Sequence, residues 1–298
     1  EIKKLKGEIE DLELTSSSEK INAIITLLPG LKKNIADMIC RLGDLKLKAN
    51  GHLSMPEQKS DVDVEILSGV GDLDAECGLS WRSAKLFALS GDVNSENFDL
   101  GKLIANEKFG TLSLTSTIDF NVQGKDMDAA VDAVISNFEY NGETIDNISL
   151  SGEKNGKSIA GLLVVDDESV SLDSHVDVIL DKENSQWRID TDIHNFIPSR
   201  YGILPKYKGY NLAANLVADI TGNSIDNLTG SINLTSVNFE KAGDKSLHLS
   251  SLSLLSERVD TVKRYSISSD IINGKLEGAF TFGNLAKFSK DLVVRSVP

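Results

Sequence analysis

The sequence has few aromatic residues, two cysteines and no long apolar run. Aromatic side chains make up 6% of the 298 residues. No stretch approaches the roughly 20 consecutive apolar residues of a membrane-spanning helix. Cys40 and Cys77 are too few to define a disulfide framework, which excludes the class of small cysteine-stapled domains. Two buried free thiols, or a single bridge formed in an oxidising compartment, both fit these two residues.

Positive charge is also scarce. The chain has 31 Lys and Arg against 45 Asp and Glu, a net charge of -14. This balance argues against nucleic acid, or an anionic membrane surface, as the main partner. The acidic residues mostly alternate within strand patterns, as Asp61, Asp63 and Glu65 do, and this predicts a solvated sheet face.

Catalytic and metal-binding motifs are missing as well. The sequence has no phosphate-binding loop, nucleophile elbow or zinc-protease motif. His52, His175, His194 and His248 have no partner at metal-ligand spacing. The run 166–168 is acidic enough to hold calcium but is better explained as a polar turn. We therefore predict a protein that is not an enzyme and needs no cofactor and no metal.

What the chain does have is strand after strand with apolar residues at every second position. Residues 112–122, 126–135 and 210–220 all show this alternation. Successive side chains of a strand point to opposite faces, so the pattern predicts one apolar and one polar face. Little helix is predicted to cover the apolar side, so the fold class is mostly β with an antiparallel-rich sheet.

One helical element interrupts this pattern near the N-terminus. Ser16 and Glu19 have the spacing of a capping box, and an apolar stripe at helical spacing follows to Leu42. The dipeptide Pro29-Gly30 divides the stripe, which predicts a helix-turn-helix insert over 15–43. Its apolar stripe is expected to pack on the sheet.

Four Asn-Gly dipeptides predict tight hairpin turns, because both residues tolerate positive φ. They begin at Asn50, Asn141, Asn155 and Asn273. Separate strands are predicted at 225–235 and 237–241, among others. With this many hairpin signals the dominant topology should be an antiparallel meander.

The chain also echoes itself about a hundred residues apart. Phe98–Leu150 and Phe196–Leu252 each contain a short apolar insert, a long alternating strand, a glycine turn and an Asn-Phe-Glu tripeptide. Such units usually stack into an elongated array. We therefore predict leading strands over 1–14 and a repeated sheet over 44–298, with related units at about 98–195 and 196–298.

The apolar positions often hold small side chains, which would fill the roughly 10 Å gap of a packed sandwich poorly. A curled sheet with an apolar groove solves this problem if acyl chains fill the groove. A dry core is the alternative at each position. The candidate groove residues are Leu112, Leu114, Ile118, Phe120, Val122, Met127, Val131, Ile135, Leu212, Leu216 and Ile220.

The run from Leu14 to Leu53 resembles the helical insert and following strand of the TamB/AsmA-like envelope proteins of Bacteroidetes-type bacteria. Phe98, Leu100, Gly101 and Leu103 are similar to a repeated phrase of that family, as is the turn 140–142. The second segment, Phe196–Leu252, matches this repeated motif less well, since Phe196-Ile197-Pro198 replaces the helix start. These motifs are structural motifs and include no active-site signature.

The resemblance implies a periplasmic segment of a protein anchored in the inner membrane, with a β-taco groove that extends toward the outer membrane. It also implies phospholipid transport between the two membranes. A TamA/BamA-type barrel partner would bind regions outside this chain. Since Glu1 is not an initiator Met, we expect a piece of a longer protein or a mature form.

Two other functions compete with the groove. A scaffold could hold unfolded outer-membrane strands by edge pairing and assist their assembly with the barrel partner. A surface solenoid or adhesin repeat could bind polysaccharide, although the shortage of exposed aromatics makes sugar stacking less favourable.

Overall fold

A computed structural model describes residues 5–26, 33–83, 85–124, 126–260 and 262–281. These residues form a single curled sheet of 16 antiparallel strands, arranged in sequence order. The sheet does not close on itself. This confirms the predicted fold class, including the helical pair near the N-terminus and the short helical inserts.

The strands are β1 Lys6–Ser16, β2 Leu45–Ser54, β3 Lys59–Ser68, β4 Gly71–Ser83, β5 Leu86–Asp99, β6 Phe109–Gln123, β7 Asp126–Tyr140, β8 Glu143–Asn155, β9 Ser158–Asp166, β10 Val170–Ile179, β11 Gln186–Phe196, β12 Asn211–Thr221, β13 Thr229–Glu240, β14 Leu247–Val259, β15 Val262–Ser269 and β16 Asn273–Gly278. Helices α1 (Ser18–Thr26) and α2 (Lys33–Arg41) follow β1, α3 (Leu100–Ile104) follows β5, and a 3₁₀ helix (Pro198–Tyr201) follows β11.

The cross-strand register keeps the apolar residues on one side of the whole sheet. Ile118 of β6, for example, lies opposite Gly91 of β5 and Val131 of β7. Because directly opposed residues share a face, this relation can be followed from strand to strand. Ile9 of β1 and Leu276 of β16 both fall on the face of Ile118, which we call the apolar face.

No second layer of described residues covers the apolar face. The two buried clusters join neighbouring strands, one around Ile148 and Val165 and the other around Ala214 and Val237. The accessible surface is 19409 Å², whereas a compact monomer of 32.3 kDa would expose about 12,300 Å². The structure is therefore a one-layer sheet and not a sandwich.

All helical inserts lie at the same end of the strands, since in a meander the connections alternate between two ends. This end, which we call the insert edge, carries α1, α2, α3 and the 3₁₀ helix. Hydrogen bonds join neighbouring connections at this edge, namely α2 to α3 and α3 to the β3–β4 turn. The Arg41 guanidinium donates to the carbonyl of Leu103 (3.2 Å), and the Lys102 ammonium to that of Gly69 (2.8 Å). The opposite end is the hairpin edge.

The predicted N-cap of the first helix was wrong by one residue. Ser16 is the last residue of β1, and α1 begins at Ser18. The N–H of Lys20 donates to Ser17 Oγ at 3.4 Å, so Ser17 takes the capping role that we predicted for Ser16. The Pro29-Gly30 interruption lies outside the described residues. No described helix is long and apolar enough to cross a membrane.

Two of the four Asn-Gly predictions were wrong. Asn141 and Gly142 form the β7–β8 turn with φ of 55° and 80°, and Gly156 lies in the β8–β9 turn. Asn50-Gly51, however, lies inside β2, and Asn273-Gly274 opens β16 after the turn. Asn50 Oδ1 accepts instead from the N–H of Asp11 (2.7 Å), which has φ of 48° at a bulge in β1.

Bulges are aligned across the middle of the sheet. Asn97 in β5, Asn147 in β8 and Ser236 in β13 have φ between 52° and 54°, and the register skips Ser136 in β7 and His194 in β11. The register places these five residues at one level across β5–β13. Because a bulge bends its strand and increases the local twist, this bulge row is expected to bend the β5–β13 part of the sheet along a line.

The bulge row also corrects a predicted strand boundary. We expected separate strands at 225–235 and 237–241, but β13 runs without a break from Thr229 to Glu240 through the bulge at Ser236. The two similar segments, Phe98–Leu150 and Phe196–Leu252, have the same order of elements: a helical insert, a strand, a turn and a bulged strand. The division into two related units stays a prediction.

Candidate functional site

All eleven candidate groove residues lie on the apolar face. Within β6, for example, Leu114, Ile118 and Phe120 alternate with exposed polar residues. The register joins the candidates of β6 to those of β7 directly, since Ile118 faces Val131 and Val122 faces Met127. Ten of the eleven are half-buried and Met127 is exposed.

The candidates of β12 belong to the same face, although four strands separate them from β7. Following the register from Val131 leads through Gly152 and Gly161 to Val176, and then through Ile189 to Ala218 of β12. The face thus connects residues almost a hundred positions apart. It continues to both ends of the sheet, through residues that the sequence analysis did not name as groove candidates although they show the same alternation: Leu47, Val64, Ala75, Leu89, Leu163, Val176, Ile189, Ile232, Leu254 and Ile267.

A depression lined mainly by apolar side chains lies where this face reaches β12–β16. Its volume is about 480 Å³. Aliphatic side chains of five strands and of the β12–β13 connection line it: Ile220, Ile225, Leu228, Ile232, Leu254, Ile267 and Leu276. A volume of this size, open on one side and lined by branched aliphatic side chains, suits hydrocarbon.

Charged residues on the apolar face stand near the strand ends. Lys263 is buried and its ammonium pairs with Asp226 Oδ1 at 3.0 Å. The Lys154 ammonium donates to the carbonyl of Gly156 at 2.8 Å, at the hairpin edge. The long middle of the face between the edges has no charge among the described strands. Its few hydroxyl groups include Ser174 and Thr191, which bond to each other at 2.7 Å, so this surface is predominantly apolar.

The opposite face is acidic. It also holds a depression, of about 570 Å³, with Asp61, Asp119, Asp128 and Glu153 among its lining residues. Carboxylates keep water around them, so this depression does not suit an apolar ligand. The two faces therefore have different chemistry, as the alternating sequence predicted.

The insert after β11 is anchored by a buried hydrogen-bond chain. The hydroxyl of Tyr201 contacts Ser169 Oγ, and that hydroxyl also bonds Asp167 Oδ1 (2.5 Å). Asp167 accepts further bonds from the N–H groups of Ser169 (2.8 Å) and Asp146 (3.2 Å). This carboxylate thus has a role in holding the β9–β10 turn, where the sequence analysis considered calcium.

Replacement of this carboxylate should weaken the fold at neutral pH. Burial alone would raise the pKa of Asp167, but the hydrogen bonds from Ser169, Asp146 and Val170 outweigh it and hold the pKa below 3.8. A lowered pKa stabilises the fold above pH 3.8, and this contribution is lost as the pH falls below that value. We expect Asp167→Asn to cost about 1 kcal/mol at pH 7.

Urea denaturation at pH 7 and at pH 3 measures this effect. The difference between Asp167→Asn and the original protein should be largest at pH 7 and smaller at the acidic pH, because the lowered pKa of Asp167 contributes less stability as the carboxyl takes up a proton. Asp166→Asn is the control, because the neighbouring Asp166 is exposed. An equal loss in both variants would contradict the assigned role of Asp167.

Neither the histidines nor the cysteines form a site among the described residues. No group of three or more His, Cys, Asp or Glu that could hold a metal occurs in this part of the chain. His194 pairs with Asp173 at 3.1 Å on the polar face. Both thiols are free, and burial raises the pKa of Cys77. The disulfide alternative is therefore not found in the structure.

No protein-family model matches the chain, and neither a curated protein nor a solved structure shows significant similarity to it.

Proposed function

We propose that this chain is a periplasmic segment of a TamB/AsmA-like envelope protein, and that its apolar face binds phospholipid acyl chains in transit between the inner and outer membranes. The parent protein would be anchored in the inner membrane, and a TamA/BamA-type barrel would be its partner outside this chain. In this role the chain is a carrier and catalyses no reaction.

The observation that supports the proposal is a long, predominantly apolar face that the described residues leave uncovered. An apolar face of this length is costly in water, because each exposed CH₂ loses about 0.8 kcal/mol relative to burial. A dozen methylenes along the face would contribute on the order of 10 kcal/mol before ordering costs. Acyl chains of phospholipids have the length and chemistry to supply that burial.

The small residues along the face favour a mobile ligand over a fixed one. Gly91, Gly152, Gly161 and Ala218 lie at one level of the register and present little side-chain bulk there. Apolar contact is non-directional, so binding energy is spread evenly and a chain can slide. Transport along the apolar face is then diffusion of the acyl chain within a largely apolar environment.

Photocrosslinking tests the proposal on the folded protein. Benzoylphenylalanine at Phe120 changes the ring least and lies on the apolar face, whereas the same residue at Val134 lies on the polar face, with Val134 59% exposed. After expression in a bacterial envelope and irradiation, we expect phospholipid adducts at position 120 and few or none at position 134.

Native mass spectrometry of the protein purified without detergent complements this experiment. Co-purifying phospholipid would agree with the crosslinks. Equal adducts at both positions would contradict binding on the apolar face. A lipid-free mass with no adduct at position 120 would overturn the proposal and favour the strand-holding scaffold.

A further inference from the structure

The insert between β11 and β12 presents exposed aliphatic and basic side chains together. Residues 202–209 are all exposed. Ile203 and Leu204 are each 50% exposed and Tyr207 is 47% exposed. We call residues 202–210 the tyrosine loop.

The charge of this insert is opposite to that of the chain. Residues 197–210 contain Arg200, Lys206 and Lys208 and none of the 45 acidic residues, although the protein has a net charge of -14. Lys241 of the next connection joins them, since its ammonium donates to the carbonyl of Lys208 at 2.9 Å. Two acidic residues of neighbouring connections meet this insert, since Glu143 pairs with Arg200 at 3.8 Å and Asp244 interacts with Tyr210 and Lys241. Lys206 and Lys208 therefore supply the local positive charge, a basic patch next to the exposed Ile203 and Leu204.

The loop is held in place by its own packing and hydrogen bonds. Tyr207 and Tyr210 pack on Phe239, with ring centroids 5.5 and 4.9 Å away. The N–H of Tyr207 donates to the carbonyl of Leu204 at 2.9 Å, and the N–H of Gly209 donates to Ser199 Oγ at 3.3 Å. Exposure of the aliphatic pair is thus a property of an ordered loop.

The backbone at the tip adds a second observation. Leu204 has φ of 50°, in the left-handed region that non-glycine residues rarely adopt. It also precedes Pro205, and residues before proline prefer an extended conformation. An unfavourable backbone that holds a leucine in water is typical of a site where a ligand or surface is met.

We propose that the tyrosine loop docks on an anionic phospholipid bilayer. Aliphatic side chains insert between headgroups, tyrosines suit the interface between water and hydrocarbon, and lysines pair with phosphates. Charge complementarity favours this occupant. A negative surface attracts the basic patch and repels the acidic remainder of the protein, so the patch faces the bilayer. This inference does not depend on acyl chains in the groove.

Vesicle co-sedimentation tests the proposal with the whole chain. We expect binding to vesicles of 30% phosphatidylglycerol in phosphatidylcholine, weak binding to pure phosphatidylcholine, and a decrease at high salt. Lys206→Gln with Lys208→Gln should weaken binding about 25-fold, roughly fivefold for each lysine. Ile203→Ser with Leu204→Ser should weaken it about tenfold or more.

A matched control exists at the same edge of the sheet. Ile271 and Ile272 in the β15–β16 turn are 69% and 52% exposed, but they follow Asp270 and have no basic neighbour in that turn. Ile271→Ser with Ile272→Ser should leave vesicle binding unchanged. If this pair weakens binding as much as the change at Ile203 and Leu204 does, the loop assignment is wrong.

Protection from trypsin gives a readout that requires no variant. Anionic vesicles should slow cleavage after Lys206 and Lys208 at least fivefold and leave cleavage after Lys157, at the hairpin edge, unchanged. Absence of binding or of protection would overturn the proposal. Loss of binding in Leu216→Asp, with the loop variants unaffected, would also overturn it and would assign the vesicle contact to the apolar face.

Discussion

Leu216→Asp should abolish lipid carriage while leaving the sheet folded. Leu216 lies in the middle of the apolar face, opposite Thr191 of β11 and Leu234 of β13. A carboxylate at this position stays hydrated. An acyl chain that passes over it loses apolar contact and has to displace the bound water, which costs free energy. We expect co-purifying phospholipid to fall at least tenfold.

The fold should survive this change because Leu216 is half-buried and faces no second layer of described residues. We expect a loss of stability of about 1–2 kcal/mol, since the charge stays hydrated and the transfer free energy of the side chain is only partly lost. Native mass spectrometry measures the lipid, and urea denaturation measures the stability. Gross unfolding of Leu216→Asp would contradict an open groove at this position.

Val217→Asp is the matched control. Val217 is the next residue of β12, lies on the polar face and is 41% exposed. It faces Asp190 of β11, so a carboxylate there meets a like charge directly opposite and costs the sheet about 0.2–1 kcal/mol. If this variant keeps its lipid, a weakened sheet does not explain the loss in Leu216→Asp.

Gly101→Ala should destabilise the insert edge by about 3 kcal/mol. A Cβ at Gly101 would lie 1.9 Å from the carbonyl oxygen of Phe109 and 3.1 Å from that of Asn106. Both are backbone atoms, so the methyl group has no flexible side chain to displace. The clash would separate α3 from the start of β6.

The surrounding contacts leave α3 little freedom to adjust. Asp99 Oδ1 accepts from the N–H of Lys102 at 2.8 Å, and the N–H of Asn106 donates to the carbonyl of Gly101 at 2.9 Å. Gly7→Ala in β1 is the control, because its Cβ would meet nothing within 4 Å. We expect a change within about 0.5 kcal/mol there, and urea denaturation of both variants makes the comparison. Equal stabilities would contradict the packing assigned to Gly101.

Gly101 also gives a physical reason for one residue of the sequence phrase that includes Phe98, Leu100 and Leu103. The phrase could be recognised as a pattern, but the contact with the carbonyl of Phe109 could not be derived from it. The same is true of Ser136 and Ser236, whose bulges precede the Asn-Phe-Glu tripeptides. A bulge depends on the register with the neighbouring strand, which local sequence does not encode.

The Asn-Gly dipeptides show to what extent local turn propensity determines the structure. Asn141-Gly142 forms its turn because the flanking strands β7 and β8 end there. Asn50-Gly51 has the same chemistry but lies inside β2, where pairing with β1 and β3 extends on both sides. Turn propensity is a weak preference, and the hydrogen bonds of two ladders outweigh it.

The tyrosine loop is a feature that the overall composition of the chain did not reveal. The net charge of -14 argued against an anionic membrane surface as partner. That argument averages over the chain, whereas a surface meets only the residues that face it. The local excess of lysine at 206 and 208 was visible in the sequence, but its coincidence with exposed Ile203 and Leu204 was not.

The sequence by itself determined that this protein is a one-sided antiparallel sheet. Alternation is a property of adjacent residues, and a period of two fixes which side chains share a face before any pairing is known. The eleven groove candidates therefore fell on a single face. The tertiary structure decided that the described part of the chain leaves this face uncovered, that the bulges align in one row, and that the helical inserts share one edge. Those outcomes depend on register and on twist summed over 16 strands, and both arise from contacts between residues far apart in the chain.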